Sequence, residues 1–496
     1  MRAWREAWDR PLLDNKASIM NKTLTLFLSA FLCAAFIHGS EYPVLDETNP
    51  LLPSADWEAA EAPIPAATGF STLFEDASLT LRSTYYGRAR SADNRNRYDG
   101  AGNPVGKHTN EIHVNSFGQG VDLRSGYAWG ILGFDVSGHT NLGRGNGWSE
   151  VLYHRERGNE DRSSLTLGQA ALKTRLAAGD FAFEARGGFT PISIGSLGTS
   201  GGLHPHAYRG FETKVKYKDF TLGYGWADQF KNEWDDHYRD MFNKWHQNRF
   251  GNDDGRRIRY VHSLGMRYEW GENKDGFADI GVGEGRRYRK NAQAVISAPF
   301  DLSFGTLTLT GYGIVAKYQD LYSDRKKATE YHVSGSAKLK TGLWTFATGL
   351  GHTRAPDSEE MQFRLTAWGN SDNRNYIQTW GQLDDFVWDG QNVVKAEVGY
   401  ELGKKVRLPG LSVGARYLYT WNGVNPNRIA KSAGWELDYN VEYQVQKGAL
   451  KGLSLGVYAG HLRWANNKFH GKQNRNDVKV IMSYSKTLES FLRRRK

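Results

Sequence analysis

The chain has 496 residues, 39% of them hydrophobic and 13% aromatic, and a formal net charge of +10. A mean hydropathy of −0.61 excludes a bundle of membrane-spanning helices, because each such helix needs about 20 consecutive apolar residues. The content of Trp, Tyr and Phe argues against a disordered chain, and the mixing of acidic with basic residues argues against nucleic acid as a partner. A globular β protein or an outer-membrane barrel remains.

The N-terminal residues predict a targeting segment that is removed on export. Lys22 precedes an apolar run from Leu24 to Ile37, which has the length of a signal-peptide core and is too short to span a membrane as a helix. Residues 1–40 are therefore expected to comprise an upstream extension and a secretory signal peptide. The only cysteine, Cys33, lies in this segment, so the exported chain is expected to have no disulfide.

Composition divides the rest of the chain into three parts. Residues 41–68 are rich in Ala, Pro and acidic residues and are predicted to form a periplasmic linker or a plug. Residues 69–491 are predicted to form one outer-membrane β-barrel, and the basic residues 492–496 a C-terminal tail. A row of soluble β-sandwiches is the alternative, but it would require a boundary about every 100 residues, and the sequence has no linker after residue 70.

Alternation of apolar and polar residues predicts strands from about residue 78 to the end of the chain. Val394, Ala396 and Val398, for example, alternate with Lys395 and Glu397. One face of such a strand is apolar and the other strongly polar. No segment of comparable length has the spacing of an amphipathic helix.

The connections between these segments are of two kinds. Some are minimal turns, such as Gly179-Asp180 and Lys218-Asp219. Short turns at one end and long loops at the other are typical of a transmembrane up-and-down antiparallel β-barrel. About 410 residues, at roughly 23 per strand and connection, give about 16 to 18 strands, the even number that such barrels require. The long polar stretches are 88–110, 139–163, 230–257, 352–361, 421–434 and 464–476.

The polar face of such a barrel lines a lumen that, at about 16 to 18 strands, holds an aqueous channel. Its charged residues have both signs, whereas a channel for ions of one sign would show one sign at its narrowest point. The pattern favours a neutral, hydrogen-bonding solute, and the alternative is that these charges only hydrate the lumen. The charged residues predicted to line the pore are Arg82, Glu212, Lys214, Lys395, Glu397, Arg416 and Glu436.

The connection 187–206 differs from the other long loops, because it has few charges and many Gly and Ser residues. An external loop in water is expected to resemble Lys231–Asp254, which is densely charged. We therefore predict that 187–206 folds into the lumen and constricts it, with a flexible external loop as the alternative. The predicted constriction residues are Ser193, Ser196, Ser200, His204 and Tyr208.

Tryptophans in polar stretches indicate a second set of pore residues. Trp368, Trp380 and Trp388 accompany several Asn and Asp residues, and Trp234 and Trp245 lie in a similar loop. Aromatic rings stack on the C–H faces of sugars while neighbouring polar groups bind the hydroxyls, so Trp368 and Trp380 are predicted to contact substrate. Packing within loops or within the aromatic girdle of the barrel is the alternative.

Signals for catalysis and metal binding are weak. Gly198–Gly202 matches the G-x-S-x-G pattern of a nucleophile elbow, but a Gly/Ser run meets this pattern by chance. His204 and His206 flank a proline, and the sequence places no third ligand beside them. We therefore predict no catalytic residue, no metal and no cofactor, with an outer-membrane barrel hydrolase centred on Ser200 as an alternative.

Several short motifs resemble those of a known family of channels. Tyr208-Arg209-Gly210 resembles a Y-Q-G signature, and residues 260–265, Tyr-Val-His-Ser-Leu-Gly, are similar to a Y-L-H-S-L-G strand of chitoporins. Leu408–Ser412 and Asp477–Lys479 resemble a late hairpin and the start of the last strand. Over about 69–485 the chain therefore resembles OprD-type outer-membrane porins and, within that family, the chitoporins.

The resemblance implies about 18 strands, a third external loop, 187–206, that folds inward, and passive diffusion of chitooligosaccharides. It also implies a bacterial outer-membrane location, with lipid, lipopolysaccharide and the barrel assembly machinery as partners of a monomer or trimer. A channel for basic amino acids, peptides or small carboxylates is the main alternative, although Arg82, Arg88 and Arg416 are few for an arginine ladder. The family usually ends in an aromatic residue, whereas Phe491 is followed here by the basic tail.

Overall fold

The computed structural model describes residues 69–92, 95–98, 104–108, 111–145, 153–154, 161–162, 164–198, 206–232, 235–242, 256–321, 328–356, 376–424, 431–465 and 474–489. Most of these residues belong to β-strands. The predicted signal segment, linker and basic tail lie outside the described residues, as do Ser200, His204, Trp234, Trp245 and Trp368.

Eighteen long strands form one antiparallel sheet that closes on itself. Each strand pairs with the next along the chain, and the first also pairs with the last, from Ser78 opposite Glu489 to Ala92 opposite Arg475. The predicted closed barrel is thereby confirmed. The strands are β1 (Ser78–Ala92), β2 (Glu111–Arg124), β3 (Leu132–Gly145), β4 (Ser164–Ala178), β5 (Phe181–Thr190), β6 (Ala207–Tyr217), β7 (Phe220–Lys231), β8 (Val261–Trp270), β9 (Gly276–Gly285), β10 (Arg289–Leu302), β11 (Gly305–Tyr318), β12 (Thr329–Thr341), β13 (Trp344–Arg354), β14 (Asn392–Tyr400), β15 (Leu411–Val424), β16 (Lys431–Gln444), β17 (Ser454–Trp464) and β18 (Arg475–Glu489).

Short elements flank the barrel strands. Helix α1 (Thr72–Glu75) precedes β1, and helix α2 (Gly403–Val406) lies between β14 and β15. Among the described residues, no helix is long and apolar enough to cross a membrane. Short antiparallel pairs join Arg95–Tyr98 with Pro104–His108, Tyr153–His154 with Asp161–Arg162, and Arg239–Phe242 with both Arg257–Ile258 and the end of β7.

The two faces of the sheet differ as the alternation predicts. On β16, Tyr439 and Val441 are exposed at the outer surface, whereas Glu436 and Asp438, on the opposite face, are buried inside the barrel. The same contrast recurs on β10, where Ile296 is exposed outside and Gln293 is buried inside. A barrel with apolar side chains outside and polar side chains inside suits a lipid environment, because its backbone groups are all paired within the sheet.

The connections confirm that the two ends of the barrel differ. At one end lie tight turns such as Gly179-Asp180, where Gly179 has a φ of +58°, a left-handed conformation that glycine adopts without strain. The connections at the other end, most of them long, are numbered L1 to L9 in chain order; L3 joins β5 to β6 (191–206) and L7 joins β13 to β14 (355–391).

The predicted loop bounds are wrong, because barrel strands extend into every stretch predicted as a long loop, and two cases matter for the lumen. L3 begins later than residue 187, because Gly187 to Thr190 still pair with β6, for example Phe189 opposite Arg209. In the stretch predicted at 352–361, β13 runs to Arg354, and the next barrel strand begins only at Asn392.

Closure brings residues from opposite ends of the chain into contact at the seam of β1 and β18. Asp477 accepts hydrogen bonds from Arg88 Nε at 3.0 Å and from Arg88 Nη2 at 2.7 Å, and Arg90 Nη2 lies 3.2 Å away. The side chain of Asp477 is fully buried and that of Arg88 almost so. Breaking a buried ion pair is costly, because the remaining charge stays buried without a partner.

Asp477→Asn is therefore expected to lower the free energy of unfolding by about 3 kcal/mol, since Arg88 and Arg90 lose the buried carboxylate charge of Asp477. Urea unfolding of the barrel in micelles, followed by tryptophan fluorescence, measures this change. Asp180→Asn is the matched control, because Asp180 and Lys218 form an exposed pair, 3.8 Å apart, of a kind that contributes little. Equal destabilisation by the two variants would contradict the role given to the seam.

Candidate functional site

Loop L3 lies against the inner wall of the barrel. Ser193 N donates to Glu212 Oε2 on β6 at 3.1 Å, and Ser196 N donates to Ser263 Oγ on β8 at 2.9 Å. Both acceptors belong to the polar, inward face of their strands. Residues 191–198 therefore take up part of the lumen rather than extending outside.

Glycines on the wall make room for this segment. A Cβ at Gly281 of β9 would lie 2.5 Å from Gly195 Cα, and one at Gly265 of β8 would lie 2.5 Å from Gly195 N. Gly195 itself has a φ of +55°, and its carbonyl oxygen accepts a hydrogen bond from Gln293 Nε2 of β10 at 2.9 Å. Only glycine permits two backbones to approach so closely, and this approach fixes L3 on the wall.

Apolar residues complete the contact between L3 and the wall. Ile192, Ile194 and Leu197 are buried in a cluster that includes Tyr208 at the start of β6. Tyr208 OH donates to Gly198 O at 2.8 Å, which ties the end of the described part of L3 to the same strand. The segment is therefore held by both polar and apolar contacts.

Of the predicted constriction residues, the described ranges contain Ser193, Ser196 and Tyr208. Ser196 and Tyr208 are fully buried, so their side chains hold L3 in place rather than facing the open lumen. Ser193 is partly exposed and is the one of these three that a solute can reach.

A second segment, residues 376–391 of L7, also folds into the lumen. This placement is not among the expectations drawn from the sequence. Leu383 N donates to Glu436 Oε1 at 2.7 Å, and Gln382 N donates to Asp438 Oδ2 at 3.2 Å. Both acceptors lie on the inward face of β16. Glu436, which the sequence predicts to line the pore, is fully buried beneath L7 and holds that loop.

Further contacts tie L7 to β12, and apolar residues bury it. Gln378 N donates to Ser334 Oγ at 3.1 Å, and Gln378 Oε1 accepts from Ser336 Oγ at 2.8 Å. The sequence carries a signal for this burial, because apolar residues recur through 376–391 and no basic residue occurs there. The buried apolar and aromatic residues are Tyr376, Ile377, Leu383, Phe386, Val387 and Trp388.

One chain of contacts connects L3 to L7. Gln293, which binds the L3 backbone, also accepts a hydrogen bond from Tyr312 OH of β11 at 3.3 Å. The ring of Tyr312 contacts that of Tyr376 in L7, with centroids 5.8 Å apart. These contacts form a continuous path from L3 to L7 through β10 and β11.

The four cations predicted to line the pore are all ion-paired. Each has a carboxylate partner on the same strand or on the neighbouring one, so none of these four charges stands alone on the wall. The pairs, with their N–O distances, are Arg82–Asp122 (2.8 Å), Lys214–Glu212 (3.3 Å), Lys395–Glu397 (3.7 Å) and Arg416–Glu397 (3.2 Å).

The structure places Trp380 in the lumen-side segment of L7. Its side chain is partly buried against the cluster around Tyr376, and its carbonyl oxygen accepts from Arg416 Nη1 at 3.4 Å. Trp388 is almost fully buried in the same loop. Packing therefore accounts for Trp388, whereas the ring of Trp380 is partly accessible.

Charged residues also line a recess at the short-turn end of the lumen. The ring of Tyr127 lies 4.0 Å from the guanidinium carbon of Arg175 and 4.9 Å from Lys173 Nζ. Burial raises the pKa of Tyr127 to about 12, so its hydroxyl stays protonated and remains a hydrogen-bond donor. The recess is lined by Tyr127, Lys173, Thr174, Glu184, Arg186, Glu212 and Lys214.

Metal ligands are not gathered in the described ranges, where no group of three or more His, Cys, Asp and Glu side chains is placed to hold an ion. His206 is buried with its ring 5.8 Å from that of Phe230. The neighbouring His204 lies outside the described residues.

Gly281→Val is expected to reduce single-channel conductance, because the new side chain pushes L3 off the wall and into the open lumen. Current through single channels in a planar lipid bilayer measures this. Gly313→Val is the matched control, since a Cβ there meets nothing nearer than Val333 Cγ1 at 3.8 Å on the outer surface. Unchanged conductance in a correctly folded Gly281→Val protein would contradict the placement of L3.

Comparisons with known proteins agree with this architecture. The sequence model of a family described as outer membrane porin, OprD family, matches residues 73–488. Chitoporin of Escherichia coli (strain K12) is 25% identical over 480 residues, which cover 85% of this chain and 96% of that protein. The similarity extends over nearly the whole barrel.

Solved structures share the fold at low sequence identity. Pseudomonas aeruginosa OpdK with vanillate has a TM-score of 0.68 and 18% identity, covering 84% of this chain and 100% of that chain. Acinetobacter baumannii OccAB1 has a TM-score of 0.68 and 15% identity, covering 86% of this chain and 100% of that chain. Because the family match covers most of the chain, this protein belongs to the OprD family of outer membrane porins and is a channel of the bacterial outer membrane.

Proposed function

We propose that this porin admits neutral chitooligosaccharides by passive, substrate-selective diffusion. The observation that carries the proposal is the pairing of the four predicted wall cations, Arg82, Lys214, Lys395 and Arg416, each of which has a carboxylate oxygen within 3.7 Å. Paired charges offer many hydrogen-bonding atoms while their long-range fields largely cancel. Such a wall suits a solute that has many hydroxyl groups and no net charge. Diffusion of this kind needs no cofactor.

Polar atoms beside Trp380 support a sugar as the solute. Trp380 Nε1 and Gln382 Nε2 are buried donors without a protein acceptor in the described ranges. Leaving buried polar atoms unsatisfied costs free energy. A small displacement of L7 that brings sugar hydroxyls to these atoms offsets that cost, and the ring of Trp380 offers a stacking surface beside them.

The relative named chitoporin supports chitin-derived sugars within this class, because the similarity covers 85% of this chain. The acetamido groups of such sugars carry an amide donor and acceptor but no charge, which matches the paired wall. Embedding in lipid and lipopolysaccharide, assembly by the barrel assembly machinery and a monomeric or trimeric state are proposed on the same basis.

Single-channel current in a planar bilayer tests the proposal. Chitohexaose is expected to block the current in discrete events, and maltohexaose, which lacks acetamido groups, to block it more weakly. Trp380→Ala should raise the half-blocking concentration of chitohexaose roughly threefold to tenfold, since one aromatic contact is lost. Trp344→Ala is the matched control, because Trp344 is on the outer surface, where its ring stacks on that of Phe346 with centroids 5.8 Å apart. Chitohexaose should block this variant at the same concentration as the wild type.

Two results would contradict the proposal. A current that ignores chitohexaose but is blocked by arginine or by a small carboxylate would favour the amino-acid or carboxylate channel. Hydrolysis of a sugar or ester by the purified protein, abolished in Ser200→Ala, would favour the barrel hydrolase instead.

A further inference from the structure

Adjacent strands expose basic side chains on the outer surface at the long-loop end. Lys290 lies at the start of β10 and Lys317 near the end of β11, and both are exposed. Both face away from the lumen, because their chain neighbours Arg289 and Tyr318 are buried on the inner side. Arg286, also exposed, lies in the short loop between β9 and β10.

The two lysines are directly opposite one another in the register of β10 and β11. Like charges in this arrangement are destabilising, because the two Cβ atoms are only about 5 Å apart. Glu284 Oε2 lies 3.8 Å from Lys290 Nζ, and Lys317 forms no ion pair within the described residues. The basic patch formed by Lys290, Lys317 and Arg286 therefore keeps a net positive charge.

Three other arginines near the same end contrast with this patch, because each has a carboxylate of its own. The pairs are Arg209 with Asp228, Arg257 with Asp240, and Arg287 with Asp320.

Directly below the lysines the outer surface becomes apolar. The next outward pair is Ala292 opposite Val315, and Ile296 follows on the same face of β10. Val315 and Ile296 are 47% and 54% exposed, as expected of side chains that contact lipid. In outer-membrane barrels the long loops face the exterior, so the lysine ammonium groups lie at the headgroup level of the outer leaflet.

Arg286 is held at the same level by an aromatic residue. Its Nη1 donates to Tyr260 OH at 3.0 Å, and its guanidinium carbon lies 5.8 Å from the centre of the Tyr260 ring. Tyr260 neighbours Trp226, at 6.2 Å between ring centroids. Such aromatic girdles mark the boundary between lipid chains and water.

From this surface we infer a binding site for the phosphorylated glycolipid of the outer leaflet, lipopolysaccharide. One lipid phosphate bridges Lys290 and Lys317 and relieves their repulsion, while Arg286 adds positive charge at the same level of the outer surface. The acyl chains lie on the apolar surface beneath. The positive charge of the two lysines favours a phosphate. The apolar surface below them favours a phosphate that belongs to a lipid, because that surface can contact the acyl chains.

Lipid binding by the purified full chain in detergent, measured by native mass spectrometry with bisphosphorylated lipid A, tests this site. A double variant, Lys290→Gln with Lys317→Gln, is expected to weaken binding roughly 25-fold, because each cation near an anionic headgroup contributes about a fivefold change in affinity. Dephosphorylated lipid A should bind both proteins weakly and equally. Without lipid A, the double variant should melt at the same temperature as the wild type or higher, since the like-charge repulsion is gone.

Lys218→Gln is the matched control. Lys218 is similarly exposed and also lies 3.8 Å from a carboxylate, that of Asp180, but at the short-turn end, so this variant should bind lipid A as the wild type does. Equal loss of lipid A binding in the control and the double variant would overturn the inference. So would wild-type binding of phosphatidylglycerol or inorganic phosphate as tight as that of lipid A, or a lower melting temperature of the lipid-free double variant.

Discussion

A β-sheet within a membrane cannot keep an open edge, because lipid offers no partner to unpaired backbone groups. In this porin the constraint is met by the pairing of β1 with β18, and the seam is completed by Asp477, buried between Arg88 and Arg90. The size of the closed cylinder follows from the number of strands. Eighteen strands enclose a lumen that wall side chains alone do not fill. Segments of two loops, L3 and L7, fill part of this remaining space.

The chain occupies part of the lumen with backbone. Glycines at positions 265 and 281 let L3 lie directly on the wall, and the carboxylates of Glu436 and Asp438 accept hydrogen bonds from the backbone of L7. Both arrangements satisfy backbone groups that would otherwise be buried without partners. The positions of L3 and L7 also determine which polar atoms line the open part of the channel. The folding of these two loops therefore determines which groups a permeating solute can contact.

Local patterns in the sequence are sufficient to predict the barrel and an inward L3. Alternation and loop length each depend on neighbouring residues, and the low charge of 187–206 can be seen without a structure. The inward L7 is not predicted, because its partners lie on β12 and β16 and only the register of distant strands brings them together. The same holds for Arg88 and Asp477, which are 389 positions apart in the sequence. The pairing of the wall cations likewise depends on this register for Arg82 and Arg416, whose partners lie on neighbouring strands.

The proposed selection of an uncharged solute depends on the pairing of Arg82, Lys214, Lys395 and Arg416 with carboxylates, which leaves these wall positions polar without an excess of one charge. The reversal potential of the open channel under a tenfold gradient of KCl measures this charge balance most directly, because it compares the passage of cations and anions through the same wall. A lumen with cancelling charges predicts a reversal potential near 0 mV. A value that approaches about 59 mV of either sign, as expected when ions of one charge alone pass, would contradict it.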